Sequence, residues 1–399
     1  MRGPKALLRP LLDKVPDMPN RRILILGAGK IGQAAAAMLG RCGDYDVVVA
    51  DAAQAALDRV AAADPVQTRR LDVDNPAELQ AALQGMDVAI SALSFAHNPA
   101  VAKAALDAGA SYFDLTEDVA TTRAVADLAG QAKPGQVFMP QCGLAPGFVG
   151  IVGHHLAQQF ERLDSCRMRV GALPKYPTNM LKYNLTWSTE GLINEYCNPC
   201  EAIVRGERVD TLALEGVETF SIDGTPYEAF NTSGGLGTLC QTLDGRVRTL
   251  DYKTIRYLGH RQLAQFLVNE LRLRDHRATL LEILERAVPM TTQDVVIVFV
   301  TATGTLDGRF MQLTDSRKVY SGELHGRTWS AIQITTAAGL CAAVDLHLQG
   351  QLPSQGFVRQ EQVALPDFLA NRFGRYYALG EHDGVKVEEV TGQIESEPA

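Results

Sequence analysis

From Arg21 to Met139 the chain alternates short β-branched and aliphatic runs with alanine-rich stretches of helical length. RILIL (22–26), DVVVA (46–50), PVQTRRL (65–71), DVAIS (87–91), SYFD (111–114) and QVFM (136–139) read as six strands. Between them, IGQAAAAMLGRC, AQAALDRVAAA, PAELQAALQ, PAVAKAALDAG and VATTRAVADLAGQ have the composition of helices. This alternation predicts a parallel sheet with helices on both faces. Past Gly147 the texture changes. Longer polar loops separate strands of antiparallel character, CRMRVGAL (166–173), DVVIVFVTATG (294–304) and RFMQLTD (309–315), before TWSAIQITTAAGLCAAVDLHL (328–348) restores the alanine-rich helical pattern.

The expected fold class is therefore α/β, a Rossmann-type doubly wound parallel sheet with a second α+β substrate domain carrying a mixed or antiparallel sheet. The expected boundaries are an N-terminal extension (1–20), a discontinuous dinucleotide-binding domain (21–145 plus 328–385), a substrate domain (146–327) and a mobile acidic tail (386–399). A chain of 399 residues, 46% hydrophobic and 21% charged, is long enough for two such domains. Its formal charge of −8 and the lack of a Lys/Arg block argue against a nucleic-acid or anionic-membrane partner. No apolar run approaches a membrane span, and seven scattered cysteines without an export signal suggest reduced thiols, so a cytoplasmic location is expected.

The first strand runs into Gly27-Ala28-Gly29-Lys30-Ile31-Gly32. In this pattern Gly27 allows the tight turn, Gly29 lets a pyrophosphate approach the backbone, and Gly32 lets the helix pack on the strand. The free N–H groups of that helix then face the phosphates. Asp51 closes the second strand, where a carboxylate accepts from ribose hydroxyls and repels a 2′-phosphate, so the expected cofactor is NAD. Asp72 and Asp74 border the adenine or form a solvated turn. Ser91-Ala92-Leu93, at a strand's carboxyl end, is expected beside the nicotinamide half.

A second glycine-rich turn, QCGLAPG (141–147), leaves the same edge of the sheet and reads as hinge and cleft wall. In the second domain, DYKTIRYLGH (251–260) alternates so that Tyr252, Thr254 and Arg256 share one strand face. Arg256 is placed to clamp a carboxylate, with Asn231 or Thr232 completing the hydrogen bonds. Lys182 and Tyr183 lie in another polar cluster, LKYNLTWSTEG (181–191). Cys197-Asn198-Pro199-Cys200 has metal-ligand spacing but no second pair, and no metal is expected.

The order of GAGKIG, Asp51, SALSFAHNPAVAKAALDAGASYFDLTED, QCGLAPGFVGIV, LKYNLTWSTEGLINEY, EAFNTSGGLGTL and YKTIRYLGH resembles the saccharopine dehydrogenase-like family, from about Arg22 to about Tyr377. The resemblance implies a homo-oligomer assembled through the second domain. It also implies NAD-dependent oxidative deamination of the L-lysine ε-amine to allysine, which cyclises to 1-piperideine-6-carboxylate. Matched by motif, Arg256 falls where saccharopine-forming members hold a substrate carboxylate, and Asn231-Thr232 on a substrate-contacting loop. Fungal saccharopine-forming members carry an aspartate in the segment that here reads Leu144-Ala145-Pro146-Gly147, and the lysine-oxidising members share Ala145. Saccharopine or a related opine is the alternative substrate, and a redox-inert NAD-binding sensor is a third reading.

Loss of hydride from a carbon bearing an amine requires a neutral nitrogen, because its lone pair stabilises the iminium that forms. A base is therefore needed. By topology Asp114 and Glu117, just past the fifth strand, are the nearest carboxylates, with Lys182, Tyr183 and His97 as rivals. Asp114 reads equally well as a cap.

Overall fold

The computed structural model describes residues 20–396, so residues 1–19 and 397–399 lie outside the described part of both expected terminal extensions. Strands β1 (Arg21–Leu26), β2 (Tyr45–Asp51), β3 (Gln67–Arg70), β4 (Val88–Ser91), β5 (Ser111–Asp114) and β6 (Val137–Met139) pair in parallel, in the order β6-β5-β4-β1-β2-β3. All six match the strands read from the sequence. The order reverses between β1 and β4, where sheets of this kind bind ligands beyond the strand ends. A two-residue strand, Gly356–Phe357, extends the β6 edge and is too short to leave a pattern.

Small side chains set the packing of this half. Helix α1 (Lys30–Arg41) buries Ala34 to Ala37 and packs against the helix Ala331–Leu348, with Cys341 Sγ 3.9 Å from the Ala35 carbonyl. The Ala331–Leu348 helix is long and apolar enough to cross a membrane, yet 78% of it is buried in the protein core. Its return to the first domain is as the sequence predicts. Asp294 anchors its start by accepting from the Ala331 and Ile332 amides, and Ser330 and Gln333 form a capping box.

The second sheet is mixed. Its centre is β7 (Arg162–Pro174), antiparallel to Asp294–Leu306 and parallel to Thr249–Tyr257. Thr225–Asn231 continues the sheet beyond Thr249–Tyr257, and Arg309–Tyr320 continues it on the other side. The expected mobile tail is corrected here. Gly380–His382, Val385–Glu389 and Gly392–Ser396 are strands of this second sheet, and the alternate residues Val385 and Val387 are buried. Lys386 between them and Glu389 beyond them are exposed, and Glu388 accepts from the Tyr320 hydroxyl, so composition alone misleads. From Gly380 onward the chain thus belongs with the second sheet, not with the first domain. One apolar cluster runs through both halves, joining Ile23 and Leu340 to Val149, Val170 and Val298, so the two sheets share a core.

Candidate active site

The dinucleotide turn has three glycines with three distinct surroundings. Gly27 adopts φ +105°, and a Cβ there would meet the Ala92 carbonyl at 2.7 Å. A Cβ on Gly32 would sit 1.9 Å from the Gly27 oxygen, so helix and turn touch there. At Gly29 nothing lies within 4 Å of a Cβ, and this open space at the start of α1 is where a pyrophosphate fits. Asp51 stands beside it. Its Oδ2 accepts from the Ala28 amide at 2.7 Å and its Oδ1 from the Ala53 amide at 2.8 Å, which fixes the carboxylate and leaves lone pairs for ribose hydroxyls. These residues fit a nicotinamide dinucleotide. Asp72 and Asp74 are exposed and belong to the turn before Pro76–Leu83, where Asp72 accepts from the Asp74 amide.

A cleft of about 660 Å³ opens between the two sheets. On the cofactor side it is lined by Gly29, Lys30, Ala92, Leu93, Thr116 and Glu117. The second glycine-rich turn closes one end through Gly143, Leu144, Ala145 and Pro146, as expected of a cleft wall. Close packing holds that turn, since a Cβ on Gly339 would stand 2.7 Å from the Gly143 carbonyl. Across the gap, Tyr252, Thr254 and Arg256 line the substrate side together, as the strand alternation predicts. The double glycine of FNTSGG marks a contact between the two halves. A Cβ on Gly234 would meet the Glu117 carbonyl at 2.5 Å, and one on Gly235 the Tyr252 ring at 2.2 Å.

Arg256 is buried and braced. Its Nε donates to the Tyr196 hydroxyl at 3.0 Å, and its Nη1 donates to Thr254 Oγ1 and the Ile255 carbonyl, both at 2.9 Å. The Tyr183 ring lies 4.9 Å from the guanidinium carbon. His260 completes the brace: its Nδ1 is 2.8 Å from the Leu181 carbonyl and so carries the hydrogen, which leaves Nε2 to accept from Tyr196 at 2.9 Å. Burial and the nearby Arg256 charge push His260 down to about 3.

Four carboxyls line the cleft; Glu190 and Glu285 are exposed at its rim, whereas Glu117 and Glu195 are withdrawn from solvent. Glu117 is half-buried, with the Asn194 amide 3.4 Å from its Oε1, and burial raises it above the usual carboxylate range. Glu195, on the helix Thr189–Cys197, is 7% exposed and is pushed up to about 8, chiefly by burial, with Arg256 opposing and Glu117 adding to the rise. A carboxyl whose pKa stands near neutrality accepts a proton from an ammonium more readily than an ordinary one.

Of the four residues expected to act chemically, the structure brings only Glu117 to the cleft. Asp114 is fully buried and fully engaged. It accepts from the Thr116 amide at 2.9 Å, the Gln141 amide at 3.0 Å and the Tyr112 hydroxyl at 2.7 Å, so it ties β5 to the second turn. Lys182 is exposed and donates outward to the Leu258 carbonyl at 2.9 Å. Tyr183 is buried away from the cleft lining and contributes its ring to the Arg256 brace. His97, the other rival, stands 3.3 Å from Asp74, away from the cleft. Among the substrate-binding candidates, Arg256 lines the cleft, whereas Asn231 and Thr232 do not. Asn231 registers with Lys253 and turns its amide toward Thr211 and Gly216. Cys197 and Cys200 are buried thiols, and no group of three metal-ligating side chains occurs among the described residues.

Two family models match the chain. The saccharopine dehydrogenase NADP binding domain matches residues 23–139, and the saccharopine dehydrogenase C-terminal domain matches residues 143–375. Their junction falls in the second glycine-rich turn. Mitochondrial alpha-aminoadipic semialdehyde synthase of Rattus norvegicus is 23% identical over 219 residues, which make up 53% of this chain and 23% of that protein. The chain therefore spans under a quarter of that relative's length. An apo, histidine-tagged saccharopine dehydrogenase (L-Glu forming) from Saccharomyces cerevisiae superposes with a TM-score of 0.71 at 17% identity, covering 93% of this chain and 100% of that one, a likeness of fold. With both domain models matched end to end around one cleft, the chain belongs to the saccharopine dehydrogenase family.

Proposed function

We propose that this protein is an NAD-dependent dehydrogenase that oxidises the ε-amine of L-lysine to an aldehyde and releases ammonia. The observation that carries this reading is the convergence of Glu117 and Arg256 on one cleft whose opposite wall is the dinucleotide turn. Arg256 supplies a fixed cation for a substrate carboxylate. Glu117, raised by burial, takes a proton from the ε-ammonium and leaves the neutral amine that the oxidation needs. A bound oxidised nicotinamide supplies the hydride acceptor. Water then adds to the substrate iminium, and ammonia leaves from the resulting carbinolamine. The apolar surfaces of Leu144, Pro146 and Trp187 narrow the water available to that step.

Asp51 supports NAD over NADP, because a fixed carboxylate beside the ribose repels a 2′-phosphate. Ala145 supports lysine over saccharopine, because the segment lacks the aspartate that fungal saccharopine-forming members carry there. The second reading, a saccharopine dehydrogenase, is favoured by the near-complete fold match to the yeast enzyme of that name. Incubating the protein with L-lysine and NAD, and separately with saccharopine and NAD, while following NADH absorbance decides between them. No rate with lysine beside turnover of saccharopine refutes the first reading, and cofactor binding without turnover of either favours a sensor. A homo-oligomeric, cytoplasmic enzyme is part of the same proposal.

A further inference from the structure

Glu195 has no counterpart in the chemistry assigned so far. It lies on the helix Thr189–Cys197, started by Ser188, whose Oγ accepts from the Gly191 amide at 3.1 Å. Leu192, Ile193, Tyr196 and Cys197 bury the same helix against the substrate domain, so a carboxylate on it is a costly residue to place there. Its main chain is fixed as well, since the Glu195 carbonyl accepts from the Ser233 amide at 3.1 Å. The side chain is not. Glu195 Oε2 is buried, lines the cleft and has no hydrogen-bond partner.

Opposite it stands the one Arg256 nitrogen left over by the brace. Nε and Nη1 are both engaged, whereas Nη2 makes no hydrogen bond among the described residues and lies 3.9 Å from Glu195 Oε2. That spacing is an ion pair but too long for a hydrogen bond. A guanidinium and an acid, each short of a hydrogen-bond partner and one contact apart, fit a ligand with an acceptor and a donor on neighbouring atoms, whose cationic donor draws Glu195 into its ionised form. A carboxylate alone satisfies Arg256 and confronts Glu195. An amine alone does the reverse. An α-amino acid head satisfies both.

We propose that Arg256 Nη2 and Glu195 form a clamp for the zwitterionic head of the substrate, the carboxylate on Arg256 and the α-ammonium on Glu195, so that the enzyme selects amino acids over simple amines. The inference rests on the proposed oxidation of a side-chain amine, with Glu117 on the facing lobe as its base. Tyr196, His260 and Tyr183 prevent Arg256 from swinging out to meet a shorter ligand.

The test compares L-lysine with 6-aminohexanoate, which lacks the α-amine and keeps the carboxylate, and cadaverine, which keeps the second amine and lacks the carboxylate. Wild type is expected to prefer lysine over 6-aminohexanoate by about 100-fold in kcat/KM, the usual worth of a hydrogen bond to a charged group. Glu195→Gln is expected to collapse that preference toward unity, mainly through the KM for lysine. If E195Q instead lowers kcat for both substrates alike with KM unchanged, Glu195 is a base, and the clamp is refuted. A melting curve guards against misfolding, because glutamine keeps the shape of the side chain and a folded E195Q melts as one cooperative transition. If wild type oxidises no ε-amine, the parent reading falls and calorimetry on the NADH-loaded protein still tests the clamp. Binding of L-lysine that is lost in E195Q supports it, and equal binding of lysine and 6-aminohexanoate, or binding of neither, overturns it.

Discussion

The glycines of the dinucleotide turn allow a sharp test, because the same substitution should act on two different properties one turn of helix apart. At Gly32 a Cβ would stand 1.9 Å from the Gly27 carbonyl oxygen, more than 1 Å inside ordinary contact, and neither partner is the end of a flexible chain. Gly32→Ala must push α1 off the sheet, an overpacking cost of about 2–3 kcal/mol, which for domains of this size lowers Tm by about 5–10 °C. Gly29 differs in every respect. Its φ of −73° and ψ of −168° are open to alanine, and a Cβ there meets nothing within 4 Å. The entropy that alanine removes from the unfolded chain roughly offsets the lost helix-start preference, so Gly29→Ala should leave apo stability within about 1 kcal/mol of wild type. The new methyl occupies the space where the pyrophosphate is expected to lie, at a cost of about 1–3 kcal/mol, or about 5–150-fold in dinucleotide affinity. Thermal melts of the apo proteins and fluorescence titration with NADH read the two quantities separately. Wild-type affinity in G29A would show that the pyrophosphate does not lie against that glycine, and equal Tm losses in the two variants would refute the packing argument.

Replacing Asp51 by serine removes the carboxylate that disfavours a 2′-phosphate, and the ratio of kcat/KM for NAD over NADP should fall at least about tenfold; an unchanged ratio refutes its assigned role. Glu117→Gln keeps the shape but not the proton acceptor, so kcat with lysine should drop by about 100- to 10,000-fold, and the loss of rate that wild type shows as acid protonates Glu117 should disappear from the pH profile. His260 provides a stability prediction with a defined sign. It is 1% exposed and titrates near 3 when folded against 6.5 ordinarily, so the unfolded chain takes up the proton first as pH falls. Its contribution is present above pH 6.5 and is lost between 6.5 and 3, on the order of 4–5 kcal/mol in full; denaturant unfolding of wild type and His260→Gln over that window should show a slope in the former that is reduced in the latter.

The cofactor half was legible because its function is written in the backbone. A Cβ on Gly27 or Gly32 would strike backbone and one on Gly29 would enter open space, all within six residues and after a recognisable strand, so the spacing alone carries the expectation. Asp51 follows from the same logic, being the last residue of the neighbouring strand. On the substrate side, the two-residue period of Thr249–Tyr257 placed Tyr252, Thr254 and Arg256 on one face, and all three line the cleft. Asp114 misled because a strand end in the right place is a necessary condition and not a sufficient one. The acid there spends its lone pairs on the Thr116 and Gln141 amides, holding together two loops that themselves form the site. Asn231 misled for a related reason, since its strand carries it past the cleft and its register sets it opposite Lys253.

Glu195 shows what a single strand or helix cannot reveal. Its role comes from a meeting with Arg256 across 61 residues of chain, which no local spacing encodes. One signal was present. Within LINEYC a carboxylate follows Asn194 in a helical segment whose neighbours Leu192, Ile193 and Tyr196 are all buried, and a buried acid needs a partner. The structure provides only half of one, at 3.9 Å, while His260 and Tyr196 hold Arg256 in place. A fold that aimed only at stability would let that pair collapse into a hydrogen bond or replace it with apolar side chains. An acid and a guanidinium left short of a hydrogen bond and facing a cleft gain their partners when a third body brings complementary charges of its own.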